Sequence, residues 1–387
     1  MSMLWRDAMS QALYGPDGFF VAGTGPADHF RTSVHASPAF ASALLRLIAE
    51  VDTALGHPSR LSVVDVGAGR GELLLTLLRL VSAGDAVGLA VGVSGEPTRS
   101  GRSGLIPPQA GSPETLTPTA AVRPSGDEPS AVAVRPSLAE RVRFTAVELA
   151  PRPEHLPEEI GWVSEIPAGI NGLLLATEWL DNVPLDVAVH TTDGWRYVLV
   201  DPESGSETVG ELVSLDDLDW LTTWTDATSA SESGFRAEIG RTRDEAWADA
   251  VSRIERGMAL AVDYGHLRES RPVDGTLTGY RAGRQVPPVP DGSSDVTAHV
   301  AMDSVASAGA AVARCAYSLV SQREALRALG ADGGRPPLSL AGTDPAGYVR
   351  ALAAASAVAE LTDPAGLGGH WWLRQPVGIP LGPAVAR

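Results

Sequence analysis

The feature that most constrains this chain is a run of three glycines at alternate positions, Asp65-Val66-Gly67-Ala68-Gly69-Arg70-Gly71-Glu72. It sits between two apolar segments of different character. Residues 61–66 are short, apolar and β-branched, which predicts a buried strand. Residues 72–81 are leucine-rich and predict a helix buried on most sides. Glycine lets the backbone turn sharply and approach a ligand closely. The helix behind the turn begins with free N–H groups. Strand, glycine turn and helix make the first half of a βαβ unit.

The pattern repeats along the chain. Apolar runs at 141–149, 172–176 and 258–262 predict further strands, with a shorter one near 162–166. They end in Glu148, in Thr177-Glu178, and in Asp263-Tyr264-Gly265. Helical spacing marks residues 3–14, 38–56 (with Ser37 as N-cap and Pro38 opening it), 214–256 and 322–329. Residues 187–200, with Asp193-Gly194 in the middle, read as a β-hairpin. Strands are also expected at 276–280 and 315–320. Alternating strands and helices indicate an α/β fold: a doubly wound, mostly parallel sheet covered on both faces. Ligands of such folds sit outside the carboxyl ends of the strands, where these polar residues fall. Residues 83–138 break the pattern. Their Gly, Pro, Ser and Thr content predicts a loop-like, flexible insertion.

Composition narrows the chemistry. The net charge is −17 and the arginines are scattered among acids, which argues against a nucleic-acid partner. The chain has no lysine, which excludes a Schiff-base lysine and a Walker-type phosphate loop. Cys315 is the only cysteine, so an intrachain disulfide or a cysteine-based metal site is excluded. The histidines are dispersed, and no metal site is expected. No signal peptide or transmembrane run is legible. A cytoplasmic protein without membrane insertion is expected.

The spacing of the turn selects its ligand. The dinucleotide fingerprint is G-x-G-x-x-G, with pyrophosphate on the helix N-terminus. Here the third glycine comes one residue early, and Asp65 and Glu72 flank the turn. A negative wall is poor for pyrophosphate and suits a ligand carrying an ammonium and a sulfonium, which S-adenosylmethionine is. Asp65, Gly67, Ala68, Gly69 and Gly71 are therefore the expected cofactor-binding residues. Glu148, ending the second strand, fits the acid that accepts ribose hydroxyls in nucleoside-binding α/β folds. A surface glutamate is the alternative.

At Thr177-Glu178-Trp179-Leu180-Asp181-Asn182-Val183-Pro184 the chain resembles the N-E-F-x-D-A-L-P segment of the MidA-like methyltransferases, which include the mitochondrial complex I assembly methyltransferase. Other segments match in the same order: Ala12-Leu13-Tyr14 with Gly18-Phe19-Phe20, Phe30-Arg31-Thr32-Ser33, Val147-Glu148-Leu149-Ala150, Asp263-Tyr264-Gly265, Gly275-Thr276-Leu277, Asp295-Val296-Thr297-Ala298-His299-Val300 and Leu361-Thr362-Asp363-Pro364. The resemblance implies a Rossmann-like class I methyltransferase core, S-adenosyl-L-methionine as cofactor, and Thr32 and Ser33 beside it. It implies methyl transfer to a protein, in the mitochondrial branch to an arginine. Asp28-His29, Thr177 and Gly283 depart from the family pattern.

An N-terminal helical region (1–56) is expected to precede the first part of the core (57–184). A substrate-covering insert (185–256) and the second part of the core (257–387) follow. Glu178, Asp181, Asp263 and His299 are the candidate catalytic residues. Glu178 and Asp181, three apart, would share a face if their turn is helical, and could clamp a guanidinium. Either could instead cap a helix. Asp263 could bind the acceptor or pair with a nearby arginine, and His299 could relay a proton, close the pocket or be structural. Two other classes stay open: a non-catalytic cofactor-binding assembly protein, and a nicotinamide-dependent oxidoreductase.

Overall fold

The computed structural model describes residues 1–22, 33, 37–87, 136–225, 234–331 and 333–380, with the side chains of 85–87 excepted. At its centre is a seven-stranded sheet. Leu61–Val66, Val142–Val147 and Ile160–Val163 lie side by side and parallel. The chain then crosses back, and Ile170–Thr177 pairs with the other edge of Leu61–Val66. That reversal puts the topological switch point between these two strands, where doubly wound folds form their ligand crevice. Ile254–Asp263 extends the parallel order, and Trp371–Val377 and Ser318–Ser321 close the edge in antiparallel fashion.

Alternation along the strands builds two cores, as period-2 geometry requires. Leu173 and Leu175 pack with Phe40, Leu44, Leu74 and Leu77 on one face. Leu174 and Ala176 pack with Trp247 and Val305 on the other. Pro38–Ala54 and Glu72–Val87 supply the first face, Arg241–Ser252 and Met302–Ala313 the second. Burying each such Leu, Phe or Val contributes about 1.5–3 kcal/mol, which fixes register across the sheet. Ser37 caps the first of these helices as expected, accepting from Ala39 N at 3.1 Å.

A five-stranded sheet stands beside the core. The expected hairpin is present as Asp186–Thr191 and Gly194–Val200. Arg236–Ile239, Glu207–Leu212 and Met3–Leu4 join it. The expected helix at 3–14 therefore starts at Trp5, because residues 3 and 4 pair with Leu199 and Val200. This helix, Trp5–Tyr14, buries Trp5, Met9 and Leu13 against Val187, Val198, Val200 and Val296.

Three differences from the sequence reading have simple causes. The helix after the glycine turn continues to Val87, so 83–87 is helical; residues 88–135 of the expected insertion lie outside the described residues, and its last three lead into the Ser137-capped turn Leu138–Arg141. The strand Trp371–Val377 was not expected, because Arg374, Gln375 and Pro376 hide its apolar pattern. Arg374 is tolerated there by its bond to Glu50 at 3.2 Å. The helix Pro345–Leu361 was also missed, since its alanine-rich sequence is mostly exposed and lacks a sharp apolar stripe. No helix among the described residues is long and apolar enough to cross a membrane.

Candidate functional site

Register alone brings the candidate residues together. Val66 pairs with both Val147 and Ala176, and Thr177 with Val262. The residues that follow, Gly67, Glu148, Glu178 and Asp263, therefore emerge at one level, at the carboxyl ends of four adjacent strands. A cavity of about 1560 Å³ opens over them. A typical small-molecule pocket measures roughly 300–1000 Å³, so this one has room for two ligands.

One end is the glycine turn. Gly67, Gly69 and Gly71 have φ of 70°, 59° and 79°, the left-handed region that glycine enters without strain. Their roles differ. A Cβ on Gly69 would meet nothing closer than Glu72 Oε2 at 3.8 Å, so the backbone here faces open cavity. A Cβ on Gly71 would lie 2.8 Å from Leu156 Cδ1. Gly71 does not line the cavity; it is small because Leu156 and Trp162 pack on it, not because a ligand does. Asp65, Gly67, Ala68 and Gly69 do line it.

Backbone N–H groups hold the acids of this end. Glu148 accepts from Gly69 N at 3.0 Å through one oxygen, and from Leu149 N and Ala150 N at 2.7 and 3.1 Å through the other. Glu72 accepts from Arg70 N at 3.1 Å. Asp65 is buried, and burial together with the nearby charges of Glu148 and Glu72 pushes its pKa up to about 8. The ensemble carries an excess of negative charge, with one carboxyl kept mostly protonated at neutral pH for want of a cation. It fits a cationic nucleoside such as S-adenosylmethionine and opposes a pyrophosphate. Asp65, Glu148 and the turn would hold that ligand.

The other end starts at Glu178. Its backbone is left-handed, with φ 52°, and its N–H donates to Val262 O at 2.8 Å, so the chain bends sharply off the strand. Leu180–Asn182 then forms one 3₁₀ turn. Glu178 and Asp181 both line the cavity, although the left-handed residue means that they share no helical face. Asp181 is buried and accepts from Tyr264 Oη, and from Thr297 Oγ1 at 2.7 Å. Burial holds its carboxyl above the usual range. His299 lines the cavity edge-on to Tyr264, with ring centroids 5.2 Å apart. Partial desolvation of its ring holds its pKa below the ordinary histidine value, although the residue keeps an exposed face.

Two expected residues act elsewhere. Asp263 is fully buried and is absent from the cavity lining. Its oxygens accept from the N–H groups of Leu180, Asp181 and Tyr264, at 3.0, 3.3 and 3.0 Å. It fastens the 3₁₀ turn and lies in the field of the Arg243 guanidinium, and it does not face the acceptor space. Ser33 is also fully buried off the cavity. Its N–H donates to Glu178 Oε1 at 3.0 Å, and its Oγ accepts from Gln322 Nε2 at 3.2 Å. Ser33 thus positions Glu178 and does not touch the cofactor end. Thr32 lies outside the described residues.

Several contributors were not read from the sequence. Arg243 is buried and donates to the carbonyls of Asp181, Val183, Ala298 and His299, tying the 3₁₀ turn to the segment before Val300. Tyr14, Asp295 and His370 line the cavity from three distant parts of the chain. Burial lowers the His370 pKa to about 4. Tyr14 and Asp295 had only their membership of the matching segments as a signal, which gives no role, and Arg243 and His370 had none. Among the described residues no group of three or more His, Cys, Asp or Glu side chains is arranged to hold a metal.

Residues 131–319 match the model of a family described as "Putative S-adenosyl-L-methionine-dependent methyltransferase". The matched stretch carries Glu148, Glu178, Asp181, Asp295 and His299. The fold is shared with a crystal structure of a superfamily member from Burkholderia thailandensis bound to S-adenosyl-homocysteine. That pair has a TM-score of 0.69 and 20% identity, over 98% of this chain and 89% of the other. A native crystal structure from the same superfamily and organism gives a TM-score of 0.68 and 20% identity, over 100% and 90% of the two chains. No curated protein matches the sequence. The resemblance to the MidA-like methyltransferases, and with it the Rossmann-like class I core, holds.

Proposed function

We propose that this S-adenosylmethionine-dependent methyltransferase passes its methyl group to a protein arginine. The observation that carries the reading is the single cavity with two acid-lined ends, one built on the glycine turn and one around Glu178 and Asp181. Cofactor and acceptor meet between them.

S-adenosylmethionine supplies a methyl group on a sulfonium sulfur, open to in-line attack by a nucleophile. The protein's task is to hold the acceptor nitrogen in line, and positioning of this kind supplies much of the acceleration. Glu178, fixed by the N–H of Ser33 and by the bent backbone, orients a cationic acceptor at the boundary of the two ends. The acceptor guanidinium gains one N–CH₃ bond and gives up one N–H proton. His299, neutral and open to the cavity, is the group placed to take that proton. Asp65 and Glu148 confine the cofactor; they do not touch the reacting nitrogen.

Incubation of the pure protein with methyl-labelled S-adenosylmethionine and a cell lysate tests the reading. Label is expected on arginine side chains of one or a few proteins. Label confined to other residue types or to small molecules would overturn the arginine assignment. Binding of S-adenosylhomocysteine without any labelled product would favour a non-catalytic assembly role.

A further inference from the structure

We propose that Asp295, paired with Asp181, is the carboxylate that receives the acceptor's cationic side chain, so that acceptor choice is made outside the parallel-sheet core. This rests on the methyltransferase reading above and names its acceptor subsite.

Asp295 opens the strand Asp295–Thr297, which belongs to a small three-stranded sheet and not to the central one. It is 95% buried yet lines the cavity. One oxygen accepts from Asn182 Nδ2 at 2.6 Å; the other carries no hydrogen bond among the described residues. Asp181 lies beside it, with Oδ2 taken by Tyr264 and Thr297 and Oδ1 buried without any partner. Both residues line one cavity: among the described residues Asp295 leaves one oxygen without a hydrogen bond, and Asp181 holds one buried and unpaired. A buried acceptor left unpaired costs about 1–3 kcal/mol, as at Asp181 Oδ1, and a positive group with N–H donors is the ligand that the unbonded Asp295 oxygen would receive.

The surroundings favour such a ligand. Tyr14 and Phe20, stacked with ring centroids 5.7 Å apart, line the same cavity, as does Tyr280. Aromatic surface attracts a desolvated cation. Burial and the charges of Asp181 and Glu178 hold the Asp295 carboxyl well above its ordinary range, and a cation beside it would oppose that shift. Glu178 is less free for this task, because Oε1 is held by Ser33.

The probes are Nα-acetyl-arginine amide and Nα-acetyl-citrulline amide, which share a shape and differ in charge. Their affinities are measured on the full chain saturated with S-adenosylhomocysteine. The wild type should prefer arginine by about tenfold or more, a usual scale for a charge-assisted hydrogen bond. Asp295→Asn keeps an oxygen for Asn182 and removes the carboxylate charge. It should erase that preference while S-adenosylhomocysteine affinity stays unchanged. An unaltered preference in Asp295→Asn would overturn the assignment. So would equal binding of the two amides to the wild type, a result that needs no variant. Failure of the methyltransferase reading shows up separately, as a wild-type protein that does not bind S-adenosylhomocysteine.

Discussion

The two ends of the cavity hold their carboxylates by different means. At the glycine turn, backbone N–H groups do it, most of them within two residues of the acid: Leu149 and Ala150 for Glu148, Arg70 for Glu72, with Gly69 reaching Glu148 from the adjacent strand's turn. At the acceptor end, side chains from remote elements do it: Tyr264 and Thr297 for Asp181, Asn182 for Asp295. The first arrangement comes with the strand–turn–helix unit and needs little else. The second exists only after three sheets have assembled around it. The cofactor end should therefore survive damage to the acceptor end, while the acceptor end depends on the whole molecule.

Gly69→Val tests that independence most severely. A β-branched side chain at φ 59° is strained and projects into open cavity. S-adenosylhomocysteine affinity should fall by about 10³-fold or more, the cost of filling ligand space on top of backbone strain. Calorimetric titration reads it, and unchanged affinity in a folded variant would place the cofactor elsewhere.

Arg243→Met attacks the acceptor end from behind. It removes the donor that four buried or part-buried carbonyls share; among the described residues only Asp181 O keeps other bonds, from Ala298 N and Thr297 Oγ1. Loss of one side of a buried charged network typically costs about 3–5 kcal/mol. Denaturant unfolding should show that loss. At temperatures where the variant is folded, methyl transfer should drop while S-adenosylhomocysteine affinity is nearly kept. A parallel loss of both would mean that the two ends are one cooperative unit.

Glu178→Gln sharpens the boundary between the ends. It keeps an oxygen for Ser33 N and removes the charge. Turnover should fall by about 10²-fold, the scale of a lost positioning interaction, with little change in cofactor affinity. Lost cofactor binding with turnover retained at saturating cofactor would move Glu178 to the other end.

The smallest effect is a pH dependence peculiar to the glycine-turn end. Asp65 titrates near 8 when the site holds no cation. Pairing with the cofactor's ammonium requires the ionised form, so binding below that pH releases a proton. Affinity should rise with pH up to about 8 and then level off, by at most tenfold per unit. Titration at pH 7 in buffers of different ionisation enthalpy measures the release, and Asp65→Asn should abolish it. The sign for stability is the reverse. Between 3.8 and about 8 the folded protein keeps a proton at Asp65 that the unfolded chain has lost. The ligand-free protein therefore loses stability at this site as pH rises through that window. A stability profile flat at Asp65 would show that the carboxyl is not desolvated as the structure has it.

The sequence by itself determined the central sheet and the glycine turn. Near-continuous apolar runs at 61–66 and 172–176 specify strands buried on both faces, and three glycines followed by an acid specify the turn, because apolar runs and positive φ are local properties of the chain. Even there its reach was limited: Gly71 looked like a ligand contact, and only the side chains of Leu156 and Trp162 show that it serves packing. The acceptor end was decided by tertiary structure. Asp181 and Asp263 both follow a central strand and look alike in sequence. Three backbone N–H groups converge on Asp263 and consume its oxygens, while Asp181 keeps one oxygen unpaired beside the cavity. Asp295 and Tyr14 reach the same space from a separate sheet and from the N-terminal helix. Which carboxylate meets a ligand depends on where donors from distant segments fall, and no local spacing encodes that.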